Sequence, residues 1–341
     1  MFTGSDIGLD LGTANVMVFV KNRGVVLHEP TVVALDKENG RIIAVGAEAR
    51  QMLGRTPGNI IALRPLRDGV IADYDVTEKM LRYFISKADG GWKFFLRPRL
   101  MICIPSGVTG VEVRAVKQAA IQAGAKEAYL IEEPLAAALG ADLDISQPSG
   151  TMVVDIGGGT CDIAVLSLGG IVCSKSLRMG GDKIDEAIVK YIRRECSLAI
   201  GERTGEELKM EIGTADLQGA DNNSMEIRGR DMLSGLPRGV VVSRWQVHDA
   251  IKEILDVIVS GVKEVLENTP PELAADIVNK GIILTGGGAL LDGVDRLLCR
   301  ETGLPIYIAE DPMSCVAKGT GRALHNMGII SAASKKRVVK R

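Results

Sequence analysis

Val153-Val154-Asp155-Ile156-Gly157-Gly158-Gly159-Thr160-Cys161-Asp162 is the stretch on which the fold turns. Two β-branched residues deliver an Asp, three glycines follow, and a second apolar run, Ile163 to Leu168, sets off behind them. This is the pattern of a buried strand, a tight turn and a return strand. Glycine lets the backbone bend sharply and lets a ligand approach the peptide N–H groups with no Cβ in the way. A row of such groups makes an anion-binding concavity. An Asp beside a phosphate cradle is repelled unless a cation lies between them. Asp155 therefore points to Mg²⁺, held through water because that ion keeps several of its own. Alone, the stretch reads equally well as a plain Gly-rich hairpin.

A second copy decides between the two. Residues 6–20 run Asp6-Ile-Gly8-Leu-Asp10-Leu-Gly12-Thr13-Ala14-Asn15 and on into Val-Met-Val-Phe-Val. Again an apolar strand delivers an Asp, then Gly-Thr, then another apolar strand. Asp10 and Asp155 stand nearly half the chain apart, so the self-similarity implies two related halves. A third Gly turn, Thr285-Gly286-Gly287-Gly288-Ala289, follows the apolar run from Ile282. The expected fold class is α/β: two duplicated halves, each with a small insert, facing one another across a nucleotide cleft.

The 341 residues suffice for two domains with real cores. A net charge of −2 gives no basic field for nucleic acid. Six scattered cysteines without a C-x-x-C pair favour reduced thiols over a disulfide framework or zinc. No apolar run is long enough to span a bilayer, and no signal peptide precedes the first strand. Neither a P-loop motif nor G-x-G-x-x-G occurs.

Along the chain, Asp75-x-x-Glu78, Thr109-x-x-Glu112, Thr204-x-x-Glu207 and Ser243-x-x-Gln246 each read as a capping box opening a helix. Helices are also expected over 182–198, 290–300 and 313–327. Glu132-Glu133-Pro134 lies where a strand over 128–131 gives way to a helix, the ligand side of an α/β sheet. Either carboxylate is placed to position a water, since neighbours at such a junction point differently. Trp92, Phe94, Phe95 and Leu96 sit among Lys93, Arg97 and Arg99 in a Gly- and Pro-bounded loop. Aromatic rings interleaved with cations suit a membrane interface. The tail 335–341 is basic and reads as a solvated end with some attraction for anionic lipid.

The two hairpins, the third Gly turn and the duplicated halves resemble the actin and sugar-kinase ATPase superfamily. Asp6 to Asn15, Arg55-Thr-Pro-Gly58, Arg64 to Asp73, Ile131-Glu-Glu-Pro134, Gly201-Glu-Arg-Thr204, Ser234-Gly-Leu-Pro-Arg238 and Leu284 to Leu291 sharpen the likeness to the MreB/Mbl bacterial actins, over essentially the whole chain. The resemblance implies four subdomains: 1–32 with 74–148 and 315–334 (IA), 33–73 (IB), 149–180 with 244–314 (IIA), and 181–243 (IIB). It implies ATP and Mg²⁺ in the cleft, with phosphates on Gly12, Thr13, Ala14, Asn15, Gly158, Gly159 and Thr160. Asp10 and Asp155 would organise Mg²⁺. Glu206, Glu207, Leu208 and Lys209, with Gly286, Gly287, Gly288 and Ala289, would embrace the adenosine. Glu132 with Thr160 would position the attacking water. It also implies slow ATP hydrolysis tied to assembly into paired protofilaments on the inner membrane face, attached through loop 92–96, in company with membrane-embedded cell-shape and wall-synthesis proteins. The short N-terminus here throws more weight on that loop. Cys161 departs from the Thr many relatives carry after Gly-Gly-Gly-Thr. A small-molecule kinase or a chaperone-type ATPase of the same superfamily is the alternative. The first would need a larger substrate pocket than the short inserts leave, the second an appended peptide-binding domain.

Overall fold

Each half of the chain opens with an antiparallel meander and then adds parallel strands to the meander's first edge. In the computed structural model, which describes residues 6–88, 97–218 and 221–325, strand Asp6–Leu11 pairs antiparallel with Asn15–Val20, and that strand with Gly24–Pro30. On its other side Asp6–Leu11 takes Arg99–Ile104 in parallel, which takes Glu127–Glu132. The second half repeats the scheme. Thr151–Ile156, Cys161–Ser167 and Gly170–Leu177 form the meander, and Ile282–Thr285 then Ile306–Ile308 add in parallel. The result is two five-stranded sheets of the same order. The duplication read from the two Asp-bearing hairpins is thus a duplication of topology.

Parallel strands need cover on both faces, and every residue of Thr151–Ile156 is buried. Helices Glu133–Gly140 and Cys315–His325 lie between the sheets. One apolar cluster joins Met101 and Ile131 of the first sheet, Val153 and Ala164 of the second, and Ala136, Ala137 and Val316 of the helices. A Cβ on Gly319 would fall 1.8 Å from the Ala136 carbonyl oxygen, so glycine is what lets these helices meet backbone to backbone. The contact fixes the start of helix Glu133–Gly140, and with it Glu133, against the second sheet.

The spans read as inserts carry a small sheet each. Val33–Asp36, Ile42–Val45 and Ile60–Leu63 pair beside helix Ala47–Met52. Leu198–Ala199, Ser224–Asp231 and Pro237–Ser243 pair beside helices Gly181–Cys196 and Glu202–Ile212. The second insert shares one continuous apolar core with its sheet, running from Met152 through Ile188 and Leu208 to Val247.

Two of the four capping boxes form as expected, at Thr109 and at Ser243. The other two do not. Helix Tyr74–Ala88 begins one residue before Asp75; Asp73 accepts the Val76 N–H at 3.0 Å, and Glu78 turns to Arg82 instead. Helix Glu202–Ile212 starts behind Gly201, which leaves Thr204 inside the first turn. The helix expected over 290–300 is split: a short 3₁₀ turn covers Gly287–Leu290 and an α-helix Val294–Thr302. Gly293, at a φ of 74°, breaks the run between them. The aromatic loop residues Trp92, Phe94, Phe95 and Leu96, and the basic tail, lie outside the described residues.

Candidate nucleotide site

Register places Asp10 and Asp155 near the carboxyl ends of the strands that carry parallel neighbours in the two sheets, where α/β folds hold their ligands. The turns that follow face each other. A Cβ on Gly158 would sit 2.5 Å from that of Ala14, and one on Gly159 2.3 Å from Thr13 Oγ1. Two glycines thus let the hairpins close to van der Waals contact. Thr13 Oγ1 accepts the Gly69 N–H at 3.0 Å, and Thr31 Oγ1 donates to the Gly12 carbonyl at 2.7 Å. The second turn is tied to a helix start, with the N–H groups of Gly181 and Asp182 donating to the carbonyls of Gly157 and Gly158 at 3.0 and 2.8 Å.

Between the hairpins and the inserts lies a cavity of about 420 Å³, within the range of small-molecule and cofactor sites. Its wall includes Asp10, Gly12, Thr13, Ala14, Asn15, Asp155, Gly158, Gly159, Thr160, Glu206, Lys209 and Gly286 to Gly288. All of these belong to the residues singled out from sequence. Glu207, Leu208, Ala289 and Glu132 are not brought to it. Glu207 pairs with Arg203 on the outer face of its helix at 2.8 Å, while Leu208 and Ala289 are buried in the core. The helical period explains the split, since 206, 209 and 210 share one face. Glu206 itself forms an ion pair with Arg50 of the first insert, across the mouth of the cleft.

Glu133, not Glu132, lines the cavity between the hairpins. Glu132 is the last strand residue, and its carboxylate accepts the Ser106 hydroxyl at 3.2 Å. Glu133 is the first helical residue, is buried, and accepts the Thr160 hydroxyl at 3.4 Å. The sequence reading paired Glu132 with Thr160; in the structure Thr160 meets Glu133, the next residue along.

Four carboxyls, Asp10, Glu133, Asp155 and Asp162, crowd this end. Burial lifts Asp10 to about 6, against a hydrogen bond from the Cys103 thiol at 3.2 Å that holds it down. Burial lifts Asp155 to about 7, although Thr285 Oγ1 donates to it at 2.6 Å. Glu133 is pushed well above the usual carboxylate range by burial and then by the negative charges of Asp162, Asp155 and Asp10. Asp162 is raised to about 6 by burial, with one oxygen taking the Ser106 N–H at 2.7 Å. Cys161 lies on the opposite pleat from Thr160 and Asp162 and packs into the core of the second half. The departure noted at that position is thus a matter of packing.

Sequence reading missed Cys103 and Asp162, and it assigned Thr285 no role. Each acts through a carboxyl far away in the chain, so no local spacing could have shown it.

A family model described as MreB/Mbl protein matches residues 4–332. The chain belongs to the MreB/Mbl family. It is 57% identical over 322 residues to the cell shape-determining protein Mbl of Bacillus cereus, covering 94% of this chain and 96% of the relative. It is 52% identical over 324 residues to the cell shape-determining protein MreB of Escherichia coli K12, covering 94% and 93%. Among solved structures it resembles MreB5 of Spiroplasma citri bound to AMPPNP, at a TM-score of 0.90 and 39% identity, over 98% of this chain and all of that one. The fold is therefore actin-like, as the MreB/Mbl motifs implied, and the duplicated sheets are its two halves.

Proposed function

We propose that this MreB/Mbl chain binds Mg·ATP in the cleft and hydrolyses it slowly. On this reading it assembles with copies of itself into paired protofilaments on the inner face of the cytoplasmic membrane, and there organises wall synthesis that keeps cells elongated. The observation that carries the nucleotide reading is the opposition of two Asp-bearing hairpins, with Gly12, Gly158 and Gly159 in their turns. The N–H groups of Gly12 to Ala14 and Gly158 to Thr160 suit phosphate oxygens. Lys209, Gly286 to Gly288 and Glu206 line the same cavity and are assigned to ribose and base.

The donor set fits Mg²⁺. Asp10 and Asp155 are hard oxygen ligands, and both are buried and raised by that burial. No group of three potential ligands converges among the described residues, which suits an ion held largely by phosphate and water. Bound there, Mg²⁺ would neutralise phosphate charge. Glu133 would orient the water for attack, with Thr160 holding the carboxylate.

The chain is read as four subdomains, 1–32 with 74–148 and 315–334, 33–73, 149–180 with 244–314, and 181–243. Self-assembly is supported by apolar side chains left at the tip of the second insert, where Leu233 is 88% and Leu236 66% exposed. No described helix is long and apolar enough to cross a membrane. Attachment is assigned to Trp92, Phe94, Phe95 and Leu96 on the strength of their sequence alone.

The deciding experiment measures Mg²⁺-dependent ATP binding and sedimentation of the parent chain and of Asp155→Asn. Binding and ATP-dependent pelleting in the parent, both lost in the variant, are expected. A parent that binds no ATP would overturn the reading.

A further inference from the structure

The two halves repeat more than their strand order: each holds its aspartate in the same way. Asp10 and Asp155 are the penultimate residues of the first meander strands, Asp6–Leu11 and Thr151–Ile156. In each half the parallel neighbour of that strand brings a small side chain to the same level. In the first half Leu9 lies opposite Ile102 of strand Arg99–Ile104, so Cys103 comes level with Asp10. In the second half Thr285 lies directly opposite Asp155. The Cys103 thiol donates to Asp10 Oδ1 at 3.2 Å, and the Thr285 hydroxyl donates to Asp155 Oδ1 at 2.6 Å.

Both donors are buried, Thr285 completely. Strands with parallel neighbours normally fill such positions with Val or Ile, and a buried hydroxyl without a partner is costly. The Thr285 hydroxyl finds that partner in Asp155. A buried cysteine is ordinarily a small apolar filler. Here its thiol takes the place that the Thr285 hydroxyl takes in the other half. Asp10 and Asp155 line the cavity, whereas Cys103 and Thr285 do not. One oxygen of each carboxylate is therefore tied to its own sheet, which limits how the group can turn. Partners of this kind, one step behind a metal ligand, orient it and tune its affinity.

We infer that Cys103 and Thr285 are a matched pair of positioning residues, which orient Asp10 and Asp155 toward the cation of bound Mg·ATP. The inference rests on the nucleotide reading above and deepens it, by tracing the metal dependence of binding to two side chains outside the cavity wall.

The test is calorimetric titration of the full chain with ATP, in excess Mg²⁺ and in EDTA. The readout is the gain, the ratio of the ATP dissociation constant in EDTA to that in Mg²⁺. Both constants come from one protein, so a general loosening of the fold does not imitate a lost gain. Thr285→Val keeps the shape and removes the donor, with Thr285→Ala in its place if the valine variant does not fold. Cys103→Ala removes the thiol, and serine at either position keeps a donor. In the parent, Mg²⁺ is expected to tighten ATP binding. The gain should fall about tenfold in Thr285→Val, the low end of what losing such a partner costs a metal site. It should fall about two- to fivefold in Cys103→Ala, since a thiol is the weaker donor. Thr285→Ser and Cys103→Ser should hold the parent's gain. An unchanged gain in both donor-free variants, however far their two constants shift together, would make the bonds a matter of packing and overturn the inference. A serine variant that loses the gain as its donor-free counterpart does overturns it as well, and a loss confined to one half overturns the pairing. A parent that binds ATP with no gain from Mg²⁺ overturns the cation assignment. A parent that binds no ATP overturns the nucleotide reading itself.

Discussion

Gly159→Ala tests whether the two hairpins must close to contact for the site to work. The added Cβ would lie 2.3 Å from Thr13 Oγ1, 2.8 Å from Thr13 Cβ and 3.0 Å from the Gly69 nitrogen. Non-bonded heavy atoms prefer about 3.5 Å or more, so the tips must separate by roughly 1 Å. The neighbour cannot simply rotate away. Thr13 Oγ1 holds the Gly69 N–H at 3.0 Å, and turning it aside gives up that bond. Overpacking of this kind costs about 1–3 kcal/mol, and a lost hydrogen bond adds about 1 kcal/mol. The strain is relieved by opening the cleft, so most of it falls on the closed, ligand-holding form. At 1.4 kcal/mol per factor of ten, ATP affinity should drop roughly ten- to several-hundred-fold. The assay is equilibrium titration with a fluorescent ATP analogue in Mg²⁺, with thermal unfolding recorded alongside. Gly58→Ala is the control, because a Cβ there meets nothing within 4 Å. A Gly159→Ala protein that binds ATP like the parent, at an unchanged melting temperature, would refute the claim that the turns close on one another.

Glu133→Gln should keep ATP affinity within about threefold and slow hydrolysis about 10²- to 10⁴-fold, whereas Glu132→Gln should leave single-turnover hydrolysis near the parent's rate; the reverse ranking would restore Glu132. Asp10 and Asp155 must lose their protons to face a cation, so Mg·ATP affinity should weaken as pH falls through about 7 and then about 6. The same raised values mean that, without nucleotide, these two groups favour folding at low pH and lose that contribution as pH rises through about 6 to 7. A flat Mg·ATP binding profile from pH 5.5 to 8 would contradict the assignment. Arg50–Glu206 and Arg64–Glu202 bridge the two inserts at the cleft mouth. As partly exposed pairs they are worth little each, so Glu206→Gln should speed nucleotide release only about two- to fivefold, an effect that 0.5 M salt removes in the parent, as stopped-flow release would show. Phe94→Ser with Phe95→Ser should free assembled protein from anionic liposomes in a flotation assay and leave ATP binding unchanged. Continued flotation would shift attention to the basic tail.

The hairpins were legible because each puts an Asp at the end of an apolar run and Gly-Thr directly after it, a signal carried entirely by near neighbours. The parallel strands were legible as strands but not as partners. Pairing Ile282–Thr285 with Thr151–Ile156 joins segments separated by the whole second insert. Glu132 and Glu133 show where local reading stops. Both stand at one junction, and which of them turns inward depends on where the strand's last residue ends and the helix begins, a boundary no spacing fixes. Glu206 and Lys209 could have been separated from Glu207 and Leu208 by applying the helical period within the motif. The Asp75 and Thr204 boxes failed because a neighbouring residue, Asp73 or Gly201, starts the helix first.

The most direct test of the central claim is an experimental structure of the protein with Mg²⁺ and AMPPNP. The phosphates are expected between residues 12–15 and 157–160, with the cation between Asp10 and Asp155 and the Glu133 carboxylate beyond the terminal phosphate. A nucleotide seated elsewhere, or phosphates that leave both Gly turns untouched, would contradict it.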